Sequence, residues 1–242
     1  GGIYVSPCVE SIPLSQLTGA HVYCKLDYLQ RTGSFKERGA RNALLKLDDA
    51  RRRRGVIAAS AGNHAQGVAY HGALLDIPVT VVMPQFAALI KVTNCRQLGA
   101  RIVLHGADLS EARVMAEQMA RDEGLTFIHP FDNADVIAGQ GTMALEILEQ
   151  VPTLDAIVVP VGGGGLLSGI GTVMRHDRPE VTVVGVEPEH AASLTAGLAQ
   201  GSPVRVTLAP TLADGLAVPA IGALPFAILR EVVDQVVTVD EA

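Results

Sequence analysis

Ile157-Val158-Val159-Pro160-Val161-Gly162-Gly163-Gly164-Gly165-Leu166 runs from an apolar, β-branched segment through four consecutive glycines into a helix-length stretch ending near His176. The run Ile157 to Val159 reads as a buried strand. Four glycines in a row cost backbone entropy and contribute no packing, so they belong where the backbone must approach another group closely. At a strand-to-helix turn the natural candidate is an anion held by backbone N–H groups, a phosphate above all; a flexible turn is the alternative. The stretch is not a P-loop, because no Gly-Lys-Ser follows, and it is not the GxGxxG dinucleotide fingerprint.

The same grammar recurs on both sides. Val22 to Leu26, Val56 to Ala59, Val79 to Met83, Ile102 to Leu104, Val181 to Val186 and Val236 to Val239 read as further strands. Phe35 to Leu47, Asn63 to Leu75, Ala87 to Leu98, Leu109 to Glu123, Ile137 to Gln150 and Leu166 to His176 read as helices. Ser34 with Glu37 and Asp108 with Glu111 have capping-box spacing. Strand–helix alternation predicts an α/β fold with a mostly parallel sheet. Arg51 to Arg54 interrupt the pattern and read as a solvated corner. Residues 197 to 222, rich in Gly and Pro, read as an ordered loop region near a site.

The 242 residues allow one large domain or two small ones. At 48% hydrophobic and 18% charged residues, general disorder is excluded. The net charge of −6 excludes nucleic-acid binding by bulk electrostatics. Three cysteines without metal-like spacing predict free thiols in a reducing compartment, the cytoplasm. No apolar run reaches membrane-spanning length, and the first residues carry no basic region followed by an apolar signal core, so neither a membrane span nor a secretory leader is expected.

Two further motifs carry chemistry. In Gly33-Ser34-Phe35-Lys36-Glu37-Arg38-Gly39 a lysine opens a helix, where the macrodipole disfavours its positive charge. A neutral lysine amine is what a Schiff-base nucleophile needs. By position alone, the same residue also suits an ordinary surface lysine. Ala59-Ser60-Ala61-Gly62-Asn63-His64-Ala65-Gln66-Gly67 follows a strand and presents backbone N–H groups to an anion, with Asn63 able to donate to an oxyanion; a plain N-cap asparagine is the alternative. No GxSxG elbow and no HExxH helix occurs.

Together these three motifs resemble the fold-type II pyridoxal-phosphate enzymes, and most closely the threonine and serine dehydratase group, with serine racemase nearby. His129-Pro130-Phe131-Asp132, Ala138-Gly139-Gln140-Gly141-Thr142, Gly185-Val186-Glu187-Pro188 and Leu212-Ala213-Asp214-Gly215 extend the likeness along the chain. The resemblance implies two open parallel-sheet α/β domains, as in the tryptophan synthase β subunit. A large one comprises residues 1–53 and 133–242 and a small mobile one comprises 54–132. It implies that Lys36 holds pyridoxal 5′-phosphate as an internal aldimine and moves protons. Phe35 lies beside the ring, Asn63 bonds the ring oxygen, and Gly162, Gly163, Gly164 and Gly165 cradle the phosphate, with Gly215 nearby. Ser60, Ala61, Gly62, Asn63 and His64 would bind the substrate carboxylate. The implied reaction converts L-threonine or L-serine to 2-oxobutanoate or pyruvate and ammonia, in a homodimer or homotetramer.

Three departures matter. Racemases of this family carry a serine where Ala61 lies, as a second base, so alanine favours elimination over racemisation or β-replacement. Their divalent cation is held by a carboxylate at the Glu187 position, a backbone carbonyl at the Ala191 position and a second acid. Here that second acid is Ser193, which leaves the expected monovalent or divalent cation with an incomplete donor set. Family members also extend beyond the position of Ala242, into a segment carrying a Ser or Cys that pairs with the pyridine nitrogen. A fragment, a divergent short form and a truncated non-catalytic homologue all remain compatible with the sequence.

Overall fold

The computed structural model describes residues 2–241; Gly1 and Ala242, the outer bounds of the expected larger unit, lie outside the described residues. The elements are β1 (Cys8–Glu10), α1 (Ile12–Thr18), β2 (Tyr23–Lys25), α2 (Lys36–Leu45), α3 (Asp49–Arg54), β3 (Val56–Ala59), α4 (Asn63–Leu74), β4 (Val79–Met83), α5 (Leu89–Gln97), β5 (Arg101–Leu104), α6 (Leu109–Glu123), β6 (Thr126–Phe127), α7 (Ala134–Gln150), β7 (Ala156–Pro160), α8 (Gly165–Asp177), β8 (Thr182–Pro188), α9 (Ser193–Gln200), α10 (Ala223–Val232) and β9 (Gln235–Val239). Short 3-10 turns occupy Asp27–Leu29, Glu189–Ala191 and Asp214–Leu216.

Two parallel sheets result, in the orders β5-β4-β3-β6 and β7-β8-β9, with an antiparallel ribbon of β1 and β2. Every residue of β3 and β4 is buried, as expected of strands covered on both faces. The pleat sends alternate side chains to opposite sides. Val56, Ala58, Val79, Val81 and Met83 pack with Ala40, Ala43 and Leu44 of α2 and Ala65, Val68 and Ala69 of α4. Ile57, Ala59 and Val82 face Ala112 and Ala116 of α6. A second core joins Ile157, Val159 and Val183 to α7, α8, α9 and α10. On the opposite face of β7, Val158 is 65% exposed.

Glycines let the central helices touch through their backbones. A Cβ on Gly139 would meet the Arg38 carbonyl oxygen at 2.5 Å, and one on Gly141 the Gly169 carbonyl oxygen at 2.9 Å. This is the physical use of the Gly139-Gln140-Gly141 block.

Several sequence expectations need adjustment. Arg51 to Arg54 are solvated as expected, but they form the last turn of α3 rather than a corner, and their charge there complements the helix dipole. Residues 197–200 continue α9, so the expected loop region begins later. The Ser34–Glu37 capping box does not form: the N-cap of α2 is Phe35, and Ser34 Oγ has no partner. Asp108 does cap α6 through the Glu111 N–H at 2.9 Å, while Glu111 reaches back to the Ala107 N–H. Among the described residues no helix is long and apolar enough to cross a membrane.

Arg38 ties the N-terminal segment to α2 and α7. It is 2% exposed and forks onto Asp27 (2.8 and 2.9 Å) and Glu146 (2.6 and 2.7 Å), while Lys25 adds a bond to Glu146 at 2.6 Å. Burial acts against the charge on Arg38, but its bonds to the two carboxylates outweigh that and hold it firmly charged. Removing one partner from such a set leaves buried charge uncompensated. Arg38→Met is therefore expected to destabilise the fold by about 3–5 kcal/mol, read as a lower denaturation midpoint in urea.

Candidate active site

The segment leaving β6, residues 128–132, gathers the site. The Ile128 carbonyl accepts a hydrogen bond from His64 Nε2 at 2.9 Å. The Pro130 carbonyl accepts one from Lys36 Nζ at 2.9 Å. The Phe131 ring fills the space beside Gly163, and its Cβ and backbone fill the space beside Gly165. Asp132 accepts the N–H groups of Ala223 and Leu224 at the start of α10, at 3.2 and 2.9 Å. His129 Nδ1 accepts the Asp132 N–H at 2.8 Å, so its hydrogen sits on Nε2. Burial first, and then the Arg113 charge, lower the His129 pKa to about 4.

Lys36 is the first residue of α2. The residue as a whole is half-buried, but its amine lies deep beneath protein atoms, 5.3 Å from the centre of the Phe35 ring. Burial lowers its pKa to about 8, so desolvation moves the amine toward the neutral form expected of a helix-opening lysine. No carboxylate contributes to that shift. His64 is buried and held neutral, its pKa lowered to about 3 by burial and then by the Lys36 charge. Because Nε2 donates to Ile128, Nδ1 is an acceptor, and it has no partner.

The loop before α4 has the features expected of an anion site. Ser60 Oγ accepts the Gly62 N–H at 3.2 Å, forming a tight turn. Gly62 is the N-cap, and a Cβ there would meet open space. Asn63 is exposed at the first helical position and is not itself the cap. Among the described residues, the N–H groups of Ala61, Asn63 and His64 donate to no protein acceptor.

Among the described residues, the four-glycine turn after β7 likewise leaves the N–H groups of Gly162, Gly163, Gly164 and Gly165 without a protein acceptor. Gly164 lies in the left-handed region (φ 88°) and caps α8. The Cβ directions of these glycines do not face an open cradle. A Cβ on Gly163 would clash with the Phe131 ring, and one on Gly164 would lie 2.6 Å from Ile221 Cδ1 and 2.9 Å from Pro225 Cβ. The glycines thus let the protein pack tightly behind the loop, which leaves the opposite side for a ligand. Gly215 sits in the 3-10 turn whose Leu216 Cα lies 3.2 Å from the Cβ position of Gly162; its own Cβ direction is open.

Glu187 is already engaged by the protein, and Ala191 is buried at the end of the 3-10 turn Glu189–Ala191. Glu187 is fully buried and accepts the N–H groups of Leu194 and Thr195 (2.7 and 2.9 Å) and the Thr195 hydroxyl (2.8 Å), so it caps α9. Among the described residues, no group of three or more His, Cys, Asp or Glu side chains gathers to hold a metal ion.

Sequence reading missed the roles of the Pro130 carbonyl and the Phe131 ring, because a backbone acceptor and a packing ring leave no spacing signal. It also assigned Glu37 to a cap that the structure does not build.

A family model for pyridoxal-phosphate dependent enzymes matches residues 1–242, and the chain belongs to that family. It is 48% identical to an L-threonine ammonia-lyase of Thermotoga maritima over 94% of this chain and 57% of that protein. It superposes on the processed form of threonine deaminase isoform 2 from Solanum lycopersicum with TM-score 0.96 and 40% identity, covering 99% of this chain and 70% of that one. Serine racemase from Dictyostelium discoideum matches with TM-score 0.91 and 37% identity, over 99% of this chain and 76% of that one. The chain spans less than three fifths of the length of the first curated relatives it matches.

The residues present suit the family's cofactor. A deeply buried lysine amine with a lowered pKa suits an aldehyde, and unpartnered N–H groups at the start of α8 suit a phosphate. Since a Cβ at Gly163 must displace Phe131, Gly163→Ala is expected to cost about 1–3 kcal/mol of stability and to weaken cofactor binding at once. Thermal melting and a pyridoxal-phosphate titration of the same variant check both effects.

Proposed function

We propose that this chain is the catalytic portion of a pyridoxal-phosphate-dependent ammonia-lyase that acts on L-threonine or L-serine. The products are 2-oxobutanoate or pyruvate, with ammonia. The observation that carries this reading is the Lys36 amine, buried, bonded to the Pro130 carbonyl and free of any carboxylate partner. The named activities of the relatives support it.

Lys36 would hold the cofactor, with Phe35 beside it and Asn63 donating to the ring oxygen. The N–H groups of Gly162, Gly163, Gly164 and Gly165 would hold its phosphate, with Gly215 lining the same loop cluster. When bound, pyridoxal phosphate supplies an electron sink for the bond broken at the substrate's α-carbon. Ser60, Ala61, Gly62, Asn63 and His64 would orient the substrate carboxylate through the unpartnered N–H groups of that turn. Once the substrate's amino group has displaced it from the cofactor, neutral Lys36 would take the α-proton at Nζ; the β-hydroxyl would leave with a proton as water, and a second water would release the ammonia and leave the 2-oxo acid.

The same reading takes residues 54–132 as a small mobile domain beside residues 1–53 and 133–242, which is supported by the four-stranded sheet lying wholly within residues 56–127; because α2 packs into the core of that sheet, any such motion carries α2 along with α4. It takes the molecule as a homodimer or homotetramer in the cytoplasm. The exposed apolar side chains of Ile12 and Leu17, 57% and 82% accessible on α1, support assembly, and three free cysteines support a reducing compartment.

Lys36→Ala is expected to abolish the long-wavelength absorbance of lysine-bound cofactor and the release of ammonia from L-threonine, with the fold intact by circular dichroism. Retained absorbance would sink the reading. Capture of pyridoxal phosphate needs the neutral amine, so its rate should rise with pH and level off above about 8. Below that point it should fall about tenfold per pH unit.

Serine racemisation is the second reading, favoured by the racemase likeness. It needs a base on each face of the substrate, and Ala61 offers none opposite Lys36. Ala61→Ser is expected to raise D-serine formation from L-serine without a matching rise in pyruvate, measured by chiral chromatography. D-serine made by the unaltered chain as fast as pyruvate would favour the racemase. A chain that binds the cofactor at Lys36 yet turns over neither substrate would favour a non-catalytic homologue.

A further inference from the structure

Beside Lys36 in sequence, Glu37 is completely buried, and so is its partner His71 on α4. Glu37 Oε1 accepts the Thr32 N–H, in the turn that precedes Lys36. Glu37 Oε2 lies 3.2 Å from His71 Nε2, and His71 Nδ1 lies 3.4 Å from Arg41 Nη1. Arginine can only donate, so Nδ1 must accept, and the hydrogen on Nε2 is the one given to Glu37. The chain Arg41–His71–Glu37–Thr32 is thereby fixed in direction from end to end. Burial pushes the Glu37 carboxyl up, but the bonds from His71 and Thr32 outweigh it, and the carboxyl lies below its ordinary range.

One turn before His71 on the same face of α4 lies Gly67. A Cβ there would meet the backbone nitrogen of Glu37 and the carbonyl carbon of Lys36, each at 3.3 Å. Gly67 and His71 therefore seat α4 on the first turn of α2 at two successive levels. The start of α4 is the turn of residues 60–64. The distance between that turn and the Lys36 amine is set by how α4 sits on α2.

We propose that His71 is a positioning residue: through Glu37 and Thr32 it locks the lysine-bearing turn to α4, so that the 60–64 loop and the Lys36 amine face one another. The lock has a second consequence. A free carboxylate next to the amine would favour its ammonium form. Glu37 instead has both oxygens committed on the side of His71 and Thr32. The proposal rests on Lys36 being the cofactor lysine.

The test uses the full chain and three variants, each first checked for folding by circular dichroism. His71→Gln keeps an N–H donor for Glu37. His71→Phe keeps a ring and loses the donor. Glu37→Gln keeps the volume and sets an amide N–H against one of the two donors. Without cofactor, the pH midpoint for cyanate modification of Lys36 is read by mass spectrometry. With pyridoxal phosphate added, the rate of capture at neutral pH is read by absorbance.

The unaltered chain should show a midpoint near 8. In His71→Phe and Glu37→Gln, water admitted to the loosened turn should raise the midpoint by about one pH unit and slow capture about tenfold. His71→Gln should stay close to the unaltered chain. A folded His71→Phe with an unchanged midpoint overturns the proposal, as does His71→Gln impaired to the same degree. Should His71→Phe fail to fold, an unchanged midpoint in Glu37→Gln overturns it equally. If the unaltered chain captures no cofactor at Lys36, the functional reading fails, and the cyanate midpoints still decide the role of His71.

Discussion

The bond from the Lys36 amine to the Pro130 carbonyl holds the site together, because the segment that supplies the carbonyl is shared by every other part. Residues 128–132 leave the four-stranded sheet and enter α7. On the way, successive residues bond His64, bond Lys36, pack behind the glycine turn and cap α10. A lysine tethered there is removed from water without being given a counter-charge. Burial lowers its pKa for that reason. A salt bridge would have done the reverse.

Charge elsewhere in the interior is managed by the opposite device. Arg38, two residues on, is locked between Asp27 and Glu146 in two forked ion pairs. Glu37, between them in sequence, is committed to His71 and Thr32. Successive helical residues point about 100° apart, so three neighbouring charged side chains serve three separate surroundings. The first turn of α2 thereby fixes the backbone rigidly while leaving one amine reactive, which is what a site built on a helix requires.

Part of the fold was legible because β3 and β4 are short, rich in β-branched residues and fully buried. Val56–Ala59 and Val79–Met83 are read to the residue, and Leu109–Glu123 is delimited by its Asp108 cap and Gly124. Strand β6 escaped because two residues, Thr126 and Phe127, carry no periodicity. Helices α9 and α10 escaped because their starts are capped from outside the usual N-cap position, by Glu187 across the intervening 3-10 turn and by Asp132 from far away in sequence. Within the site, Lys36 and the two anion-binding turns were legible because lysine, asparagine and clustered glycines are chemically costly in those places. The reason for the glycines was not legible: it depends on Phe131, Ile221 and Pro225 arriving from other elements.

The central claim is that Lys36 is the residue that takes the cofactor. The most direct measurement is borohydride reduction of the chain after mixing with pyridoxal phosphate, followed by peptide mapping by mass spectrometry. The account expects the pyridoxyl group on Lys36. Its appearance instead on Lys25, which bonds Glu146 at 2.6 Å, or on Lys46 or Lys91, would contradict it.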